Sequence, residues 1–197
     1  MMFAQISSLF ARLCLRLLGW KLKGHPPALK KAVIVAYPHT SYMDGFLVIL
    51  ISLVYRGSIA LKGDTLFFRL VSKLTGQISI TRDSKALSQT EQIAAELRER
   101  NECFFYISPE GKRSKVQKIK TGFCYIAKKA SIPIICGNFD YRTREYSFGP
   151  GFTVCDLSIK EIIDKVRKYY EDRDLLESGR YPEYTSALFL ESEESEE

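Results

Sequence analysis

The chain has 197 residues, a length that suits one domain with a sizeable core and leaves little room for a second. It carries 29 basic and 23 acidic side chains, a net charge of +6, and five of the acidic ones lie in the terminal run 191–197, which leaves +11 for the rest. A body this basic favours anionic partners, namely phosphates, acidic proteins or an anionic membrane face. Because the cations form no recognised nucleic-acid motif, we expect no nucleic-acid partner.

Residues 1–19 have the pattern of an amphipathic helix. Its apolar side chains share one side of a helical wheel: Phe3, Ile6, Phe10, Leu13 and Leu17. The arginines Arg12 and Arg16 lie on another side and come too late for a signal peptide, and the segment is too short and polar to span a bilayer. We expect it to lie in a membrane interface with Trp20 as a headgroup anchor. The alternative is a helix packed on the core of the domain.

The run 33–37 predicts a buried strand, because it is rich in β-branched residues and Pro38 ends it. His39 and Asp44 follow, five positions apart. If a helix begins at Ser41, both side chains lie near its N-terminus and can meet. A neutral imidazole can take a proton from a hydroxyl, and a carboxylate on its other nitrogen fixes the tautomer. The alternative is a capping histidine beside an aspartate of the first helical turn.

Helices and strands are then expected to alternate. We expect an apolar helix over 46–55, a strand over 58–62, a helix over 64–74, a strand over 76–82 and a helix from the Ser88 capping box to about residue 100. Arg82 ends the second of these strands, where a guanidinium can hold a phosphate at two points. The alternative is a surface arginine paired with Asp83.

The strand 103–107 leads into a second turn with candidate binding residues. Pro109 and Gly111 fix a tight loop around Glu110, a placement that presents its side chain at the carboxyl edge of a sheet. Arg113, with the hydroxyl of Ser114 and nearby backbone N–H groups, makes a candidate anion site. The lysines that follow, at positions 115, 118 and 120, could equally form a solvated face.

The remaining pattern predicts a helix over 122–130, a strand over 132–137, a hairpin around 149–151 and a helix from Ser158 to about residue 170. Buried strands that alternate with helices indicate one α/β domain with a mixed, mostly parallel sheet and helices on both faces. We divide the chain into the interface helix 1–19, a domain over 20–175, and a loop with an acidic, disordered tail over 176–197.

Four blocks, in this order, resemble the glycerolipid and lysophospholipid acyltransferase family over residues 20–154. H-x-x-x-x-D matches 39–44, a glycine-led strand ending in arginine matches 76–82, P-E-G-x-R-S matches 109–114, and a V-P-I-type strand matches 132–134. Three positions depart from the family pattern: Ser108 replaces an aromatic residue, Lys112 a common threonine and Cys136 a frequent proline.

The resemblance implies an O-acyltransferase similar to 1-acylglycerol-3-phosphate acyltransferases. Such an enzyme moves a fatty acyl group from an acyl-CoA or acyl carrier protein thioester to the hydroxyl of a lysophospholipid such as lysophosphatidate. His39 would be the general base, oriented by Asp44. The acceptor headgroup would be bound by Arg82, Glu110 and Arg113. Gly111 would let the backbone come close to the acceptor. No metal or cofactor is implied, because the thioester co-substrate is already activated.

Two other functions stay open on the sequence. One is acyl transfer to another amphiphilic alcohol, a glycolipid or aminolipid, and the other is noncatalytic lipid binding at a membrane surface. A base beside an orienting acid argues against the second, because a binding protein needs no base. Five scattered cysteines without disulfide or metal spacing are typical of a reducing compartment. We therefore expect peripheral or monotopic association with the cytoplasmic face of a membrane.

Overall fold

The computed structural model describes residues 2–55, 57–62, 77–80, 88–113, 119–176 and 178–181. Its helices in chain order are α1 (Met2–Leu17), α2 (Tyr42–Val54), α3 (Gln89–Glu99), α4 (Gly122–Ala130) and α5 (Ile159–Glu171). Its strands are β1 (Lys21–Lys23), β2 (Lys31–Ala36), β3 (Gly57–Lys62), β4 (Ile78–Ile80), β5 (Cys103–Ile107), β6 (Ile134–Asp140) and β7 (Glu145–Phe152). The helix expected over 64–74 and the candidate residue Arg82 lie outside the described residues.

The described strands form one sheet in the order β1-β7-β6-β2-β5-β3-β4. Every neighbouring pair among them is parallel except β6 and β7, which are antiparallel. The α/β class with a mixed, mostly parallel sheet is therefore confirmed. Parallel neighbours need crossover connections, which is why helices follow most of the strands.

Alternate side chains of β2 enter two separate cores. Ala32, Ile34 and Ala36 pack with α1 and α2 on one face of the sheet. Val33 and Val35 pack with α3, α4 and α5 on the other. Because both faces are covered, the strand is apolar without alternation, as the sequence indicated.

The end of the sheet differs from the expected hairpin around 149–151. The chain turns at 141–144 instead, and residues 149–151 lie inside β7. Pro150 is tolerated there because β1 pairs with β7 only at Glu145–Ser147, which leaves that edge of the strand open farther along. The short segment Lys21–Lys23, which has the pattern of a connector, becomes the edge strand β1.

Helix α1 has one side packed on the domain and one exposed side, and its place in a membrane interface stays a prediction. Ala11 and Leu15 are fully buried against the domain. The exposed residues of α1 include an apolar row of Ile6, Leu9, Phe10, Leu13 and Leu17, beside the polar Gln5, Arg12 and Arg16. None of the described helices is both long enough and apolar enough to cross a bilayer.

Trp20 is not at the surface, which corrects its expected place among lipid headgroups. Its side chain is buried. The indole packs edge to face on Phe139 and Tyr141, with ring centroids 5.8 and 4.9 Å apart. The residue therefore joins the end of α1 to the end of β6.

Candidate active site

The candidate residues lie at the carboxyl ends of two adjacent parallel strands. Strand β2 delivers His39 and Asp44, and its neighbour β5 delivers the turn 108–113. Strand β2 lies between β5 and β6 in the sheet. The chain therefore goes from β2 to strands on one side of it and later returns to strands on its other side. A crevice outside the strand ends is expected at such a point.

Helix α2 begins directly after Ser41, four residues before the apolar run expected over 46–55, and its N-terminus orders the turn. Ser41 is its N-cap, and the hydroxyl oxygen of Ser41 accepts the backbone N–H of Met43 at 3.0 Å. The carboxylate of Asp44 accepts the backbone N–H groups of Thr40 and Ser41 at 2.7 and 2.8 Å. This capping box fixes an aspartate that is 2% exposed, at the positive end of a helix dipole.

The imidazole of His39 meets this carboxylate. Nδ1 of His39 lies 3.1 Å from Oδ2 of Asp44. With Nδ1 donating its proton to the carboxylate, Nε2 is the nitrogen left to accept one. The His39 side chain is 20% exposed, so a substrate can reach the ring. The pair therefore has the geometry of a general base and its orienting acid.

Tyr141 is a third member of this cluster, and the sequence pattern gave no sign of it. Its hydroxyl donates a hydrogen bond to Oδ1 of Asp44 from the turn after β6, 97 positions away. Burial alone would raise the pKa of Asp44, but hydrogen bonds from His39, Tyr141 and the Ser41 backbone outweigh it and hold that pKa below its usual value. Burial and the neighbouring Asp44 raise the pKa of Tyr141 well above its usual value, so it stays a donor.

Glu110 faces the backbone of the turn that carries His39. The carboxyl is buried, and its Oε2 accepts the backbone N–H of His39 at 2.5 Å. Ser108, where the family pattern has an aromatic residue, also contributes, because its hydroxyl oxygen accepts the N–H of Glu110 at 3.3 Å. The described contacts thus tie the second turn to the first, and headgroup binding by Glu110 stays a prediction.

Gly111 has the left-handed backbone that favours glycine, with φ of +65°. A Cβ at this position would lie 3.0 Å from the side chain of Lys120. The close neighbour that the structure shows is therefore a lysine, which brings a further cation beside the turn. A role for Gly111 in admitting substrate stays a prediction.

Arg113 lies on the ring of Tyr42, the first residue of α2. The guanidinium carbon is 3.7 Å from the ring centroid, a cation–π contact that orients the group. The structure thus brings His39, Asp44, Glu110 and Arg113 to one edge of the sheet.

Two cavities flank the His39 turn. The first, about 170 Å³, is lined by His39 and Asp44 and by apolar atoms of Ala36, Val48, Ile59, Tyr106 and Phe139. The second, about 500 Å³, lies beside residues 40–43 and contains Lys112 and Arg113. An apolar cavity and a cationic one thus adjoin the His39 turn. Within the described ranges, no group of three or more His, Cys, Asp or Glu side chains could hold a metal ion.

Comparisons with known proteins agree with this geometry. A family model described as Acyltransferase matches residues 21–138, which include every candidate site residue from the sequence. The fold is similar to the crystal structure of the 1-acyl-sn-glycerophosphate (LPA) acyltransferase, PlsC, from Thermotoga maritima, with a TM-score of 0.63 and 17% identity over 87% of this chain and 79% of that one. Among curated proteins, no sequence matches significantly.

Proposed function

The chain belongs to the acyltransferase family, and from that premise we propose that it transfers a fatty acyl group from a thioester donor to the hydroxyl of a lysophospholipid such as lysophosphatidate. The observation that carries the proposal is the contact of His39 Nδ1 with Asp44 beside an apolar cavity. The donor is an acyl-CoA or an acyl carrier protein thioester.

In the proposed reaction, Nε2 of His39 takes the proton of the acceptor hydroxyl as its oxygen attacks the thioester carbonyl. The tetrahedral intermediate collapses when the carbon–sulfur bond breaks. The imidazolium then returns its proton to the departing thiolate, so that an ester and a free thiol are released. Asp44 fixes the tautomer of His39 and stabilises the imidazolium between the two steps.

The two cavities suit the two parts of such substrates. The apolar lining beside His39 fits an acyl chain, whose burial is favourable by about 0.8 kcal/mol per methylene. The cations of the second cavity fit a phosphate. We assign Arg113 and Arg82 to the acceptor headgroup, and we place Glu110 and Gly111 in the turn that binds it.

Attachment to an anionic membrane surface belongs to the proposal as well. Helix α2, like α1, exposes apolar side chains: Tyr42, Phe46 and Ile49 are exposed at helical spacing. The helices α1 and α2 pack together on one face of the sheet. Such a surface would lie in the interface of the cytoplasmic leaflet, where its apolar side chains enter the lipid.

The test is an incubation of the full chain with a panel of lysolipids and acyl donors, with products identified by mass spectrometry. We expect phosphatidate from lysophosphatidate. His39→Ala should lower kcat by about 10²–10⁴, because the general base is lost. His25→Ala is the matched control, since His25 is exposed in a loop before β2 and should leave turnover unchanged.

Near wild-type turnover in His39→Ala would refute the mechanism. A product formed only from a glycolipid or aminolipid would reassign the acceptor. Lipid binding without any product would favour a noncatalytic binding protein.

A further inference from the structure

The second cavity is completed by a part of the chain that neither the family motifs nor the family model covers. Its lining includes Arg180 and Tyr181 as well as Thr40, Tyr42, Lys112 and Arg113. The family model ends at residue 138, so Arg180 lies 42 positions beyond it. Among the described residues that line it, three are cations and none is an acid. A cavity of this composition favours an anion.

Residues 178–181 are fixed beside the catalytic turn by contacts on both sides. The carbonyl oxygen of Ser178 accepts the backbone N–H of Tyr141 at 2.8 Å. Ser178 Oγ lies 3.0 Å from Oδ1 of Asn138, in a buried position. At the other end of the segment, the N–H of Tyr181 donates to Oγ1 of Thr40 at 3.2 Å. Arg180 therefore projects from a backbone that is anchored to β6 and to the turn after β2.

Gly179 shows how closely this segment approaches the turn. A Cβ at Gly179 would lie 2.9 Å from Oγ1 of Thr40 and 3.0 Å from Cγ of Pro38. Only a residue without a side chain fits such a contact unless the turn itself shifts. The segment is thus packed directly on the residues that precede α2.

Arg180 lies within electrostatic reach of the His39 cluster. Its positive charge lowers the pKa of Tyr141 and opposes burial and Asp44, which raise it more strongly. Arg113 lines the same cavity and lies on the ring of Tyr42. A substrate phosphate between these two guanidinium groups would lie next to the base that activates the acceptor hydroxyl.

We infer that Arg180, supplied by the segment 178–181, joins Lys112 and Arg113 to form a phosphate subsite for a substrate of the reaction. The inference rests on the proposed function for its chemistry. The phosphate belongs either to the acceptor headgroup or to the coenzyme A part of the donor, and both present the same group to the cations. Guanidinium groups suit it because they bind phosphate oxygens at two points.

Steady-state kinetics of Arg180→Gln and Arg180→Lys in the full chain test the subsite and identify the phosphate. Lysophosphatidate is compared with monoacylglycerol as acceptor, and acyl-CoA with the acyl thioester of N-acetylcysteamine as donor. Arg180→Gln should raise the KM of the phosphate-bearing member of one pair about 10- to 100-fold and leave its neutral partner nearly unchanged. Arg180→Lys should recover part of the loss, because lysine restores the positive charge but cannot bind a phosphate at two points as a guanidinium does.

Arg98→Ala is the charge-matched control, because it also removes one positive charge. Arg98 is exposed on α3, which packs on the face of the sheet away from α1 and α2. A rise confined to lysophosphatidate assigns the phosphate to the acceptor, and a rise confined to acyl-CoA assigns it to the donor. An equal loss on charged and neutral substrates, or kinetics like those of Arg98→Ala, would overturn the inference.

A binding measurement separates this inference from the proposed function. Calorimetric titrations with sn-glycerol 3-phosphate and with coenzyme A need no turnover. We expect Arg180→Gln to bind one of these two ligands about tenfold more weakly than the wild-type chain does, and Arg98→Ala to bind both equally well. If no donor and acceptor pair reacts but binding still depends on Arg180, the proposed function fails and the subsite stands. Equal binding of both ligands by Arg180→Gln and wild type would contradict the subsite.

Discussion

Asp44 accepts hydrogen bonds from three kinds of donor: backbone N–H groups of the preceding turn, the imidazole of His39 and the hydroxyl of Tyr141. Each donor favours the ionised carboxylate and keeps it in one orientation. In the proposed mechanism, the hydroxyl of Tyr141 therefore acts on His39 through Asp44. Because Tyr141 also packs on Trp20, the orientation of Asp44 depends on the junction between α1 and β6.

Replacing Tyr141 by Phe should change the pH dependence of the reaction. The hydrogen bond from Tyr141 is one of the contacts that hold the pKa of Asp44 below its usual value. Without this donor that pKa should rise, so the ionised carboxylate that orients His39 is lost at a higher pH. The acid limb of the pH profile of kcat/KM should move upward by about 0.5 to 1 pH unit, the equivalent of one hydrogen bond. Steady-state kinetics from about pH 3 to 9 measure the shift.

Tyr125→Phe is the control, since Tyr125 is exposed on α4, at the opposite face of the sheet. A purely structural role for Tyr141 would lower the melting temperature and leave the limb where it is. That result would contradict the positioning role.

At this scale the sequence could predict His39 and Asp44, because they are close in the chain and the N-cap at Ser41 is a local signal. It could not predict Tyr141 or Arg180, whose proximity to the turn arises only from tertiary folding. Glu110 was singled out for binding, but its contact with the backbone of His39 has no local pattern that would reveal it.

At the scale of elements, the best-predicted features are those with local causes. Ser88 and Ser158 each form the expected capping box with a glutamate three positions later, and α3 and α5 begin there. The amphipathic pattern of α1 also predicted its apolar side. The pattern could not predict that Ala11 and Leu15 pack on the domain, because small and apolar side chains suit either surroundings.

The exposed side of α1 leads to a prediction about membrane binding. The double variant Phe10→Gln with Leu13→Gln should lower binding to anionic phospholipid vesicles at least tenfold, because it removes two large apolar side chains, each worth about 1.5–3 kcal/mol when fully buried. Cosedimentation with vesicles of phosphatidylcholine and phosphatidylglycerol measures the change. Both positions are exposed, so the melting temperature should stay within a few degrees of wild type.

Tyr125→Gln serves as the matched control, because it removes an exposed aromatic side chain from the other face of the sheet. Equal vesicle binding by the double variant and the control would show that α1 does not enter the lipid.

For the whole molecule, the alternation of strands and helices was enough to predict the α/β class, but not the order of the strands. The position of β7 between β1 and β6 depends on an antiparallel return at 141–144, a turn without glycine or proline. The glycines and proline at 149–151 suggested the wrong place because these residues also occur in an open edge of a strand.

Charge is a property of the whole chain, and it leads to a further prediction. Replacing the five glutamates of 191–197 by glutamine would raise the net charge from +6 to +11. Affinity for anionic vesicles should rise severalfold at about 50 mM salt and return to the wild-type value near 1 M, where the Debye length is about 3 Å. Vesicle flotation across a salt series measures both effects.

Zwitterionic vesicles provide the control, because neither form of the tail should change binding to them. An equal gain on both kinds of vesicle would mean that the acidic run acts through something other than its charge.

Tyr42 belongs to two surfaces at once, the apolar side of α2 and the wall of the cationic cavity. A lysolipid diffusing sideways within a leaflet would therefore arrive at Arg113 without first dissolving in water. The reaction rate would then depend on the mole fraction of acceptor in the bilayer rather than on its bulk concentration. The bilayer would serve as the reservoir for both substrate and product.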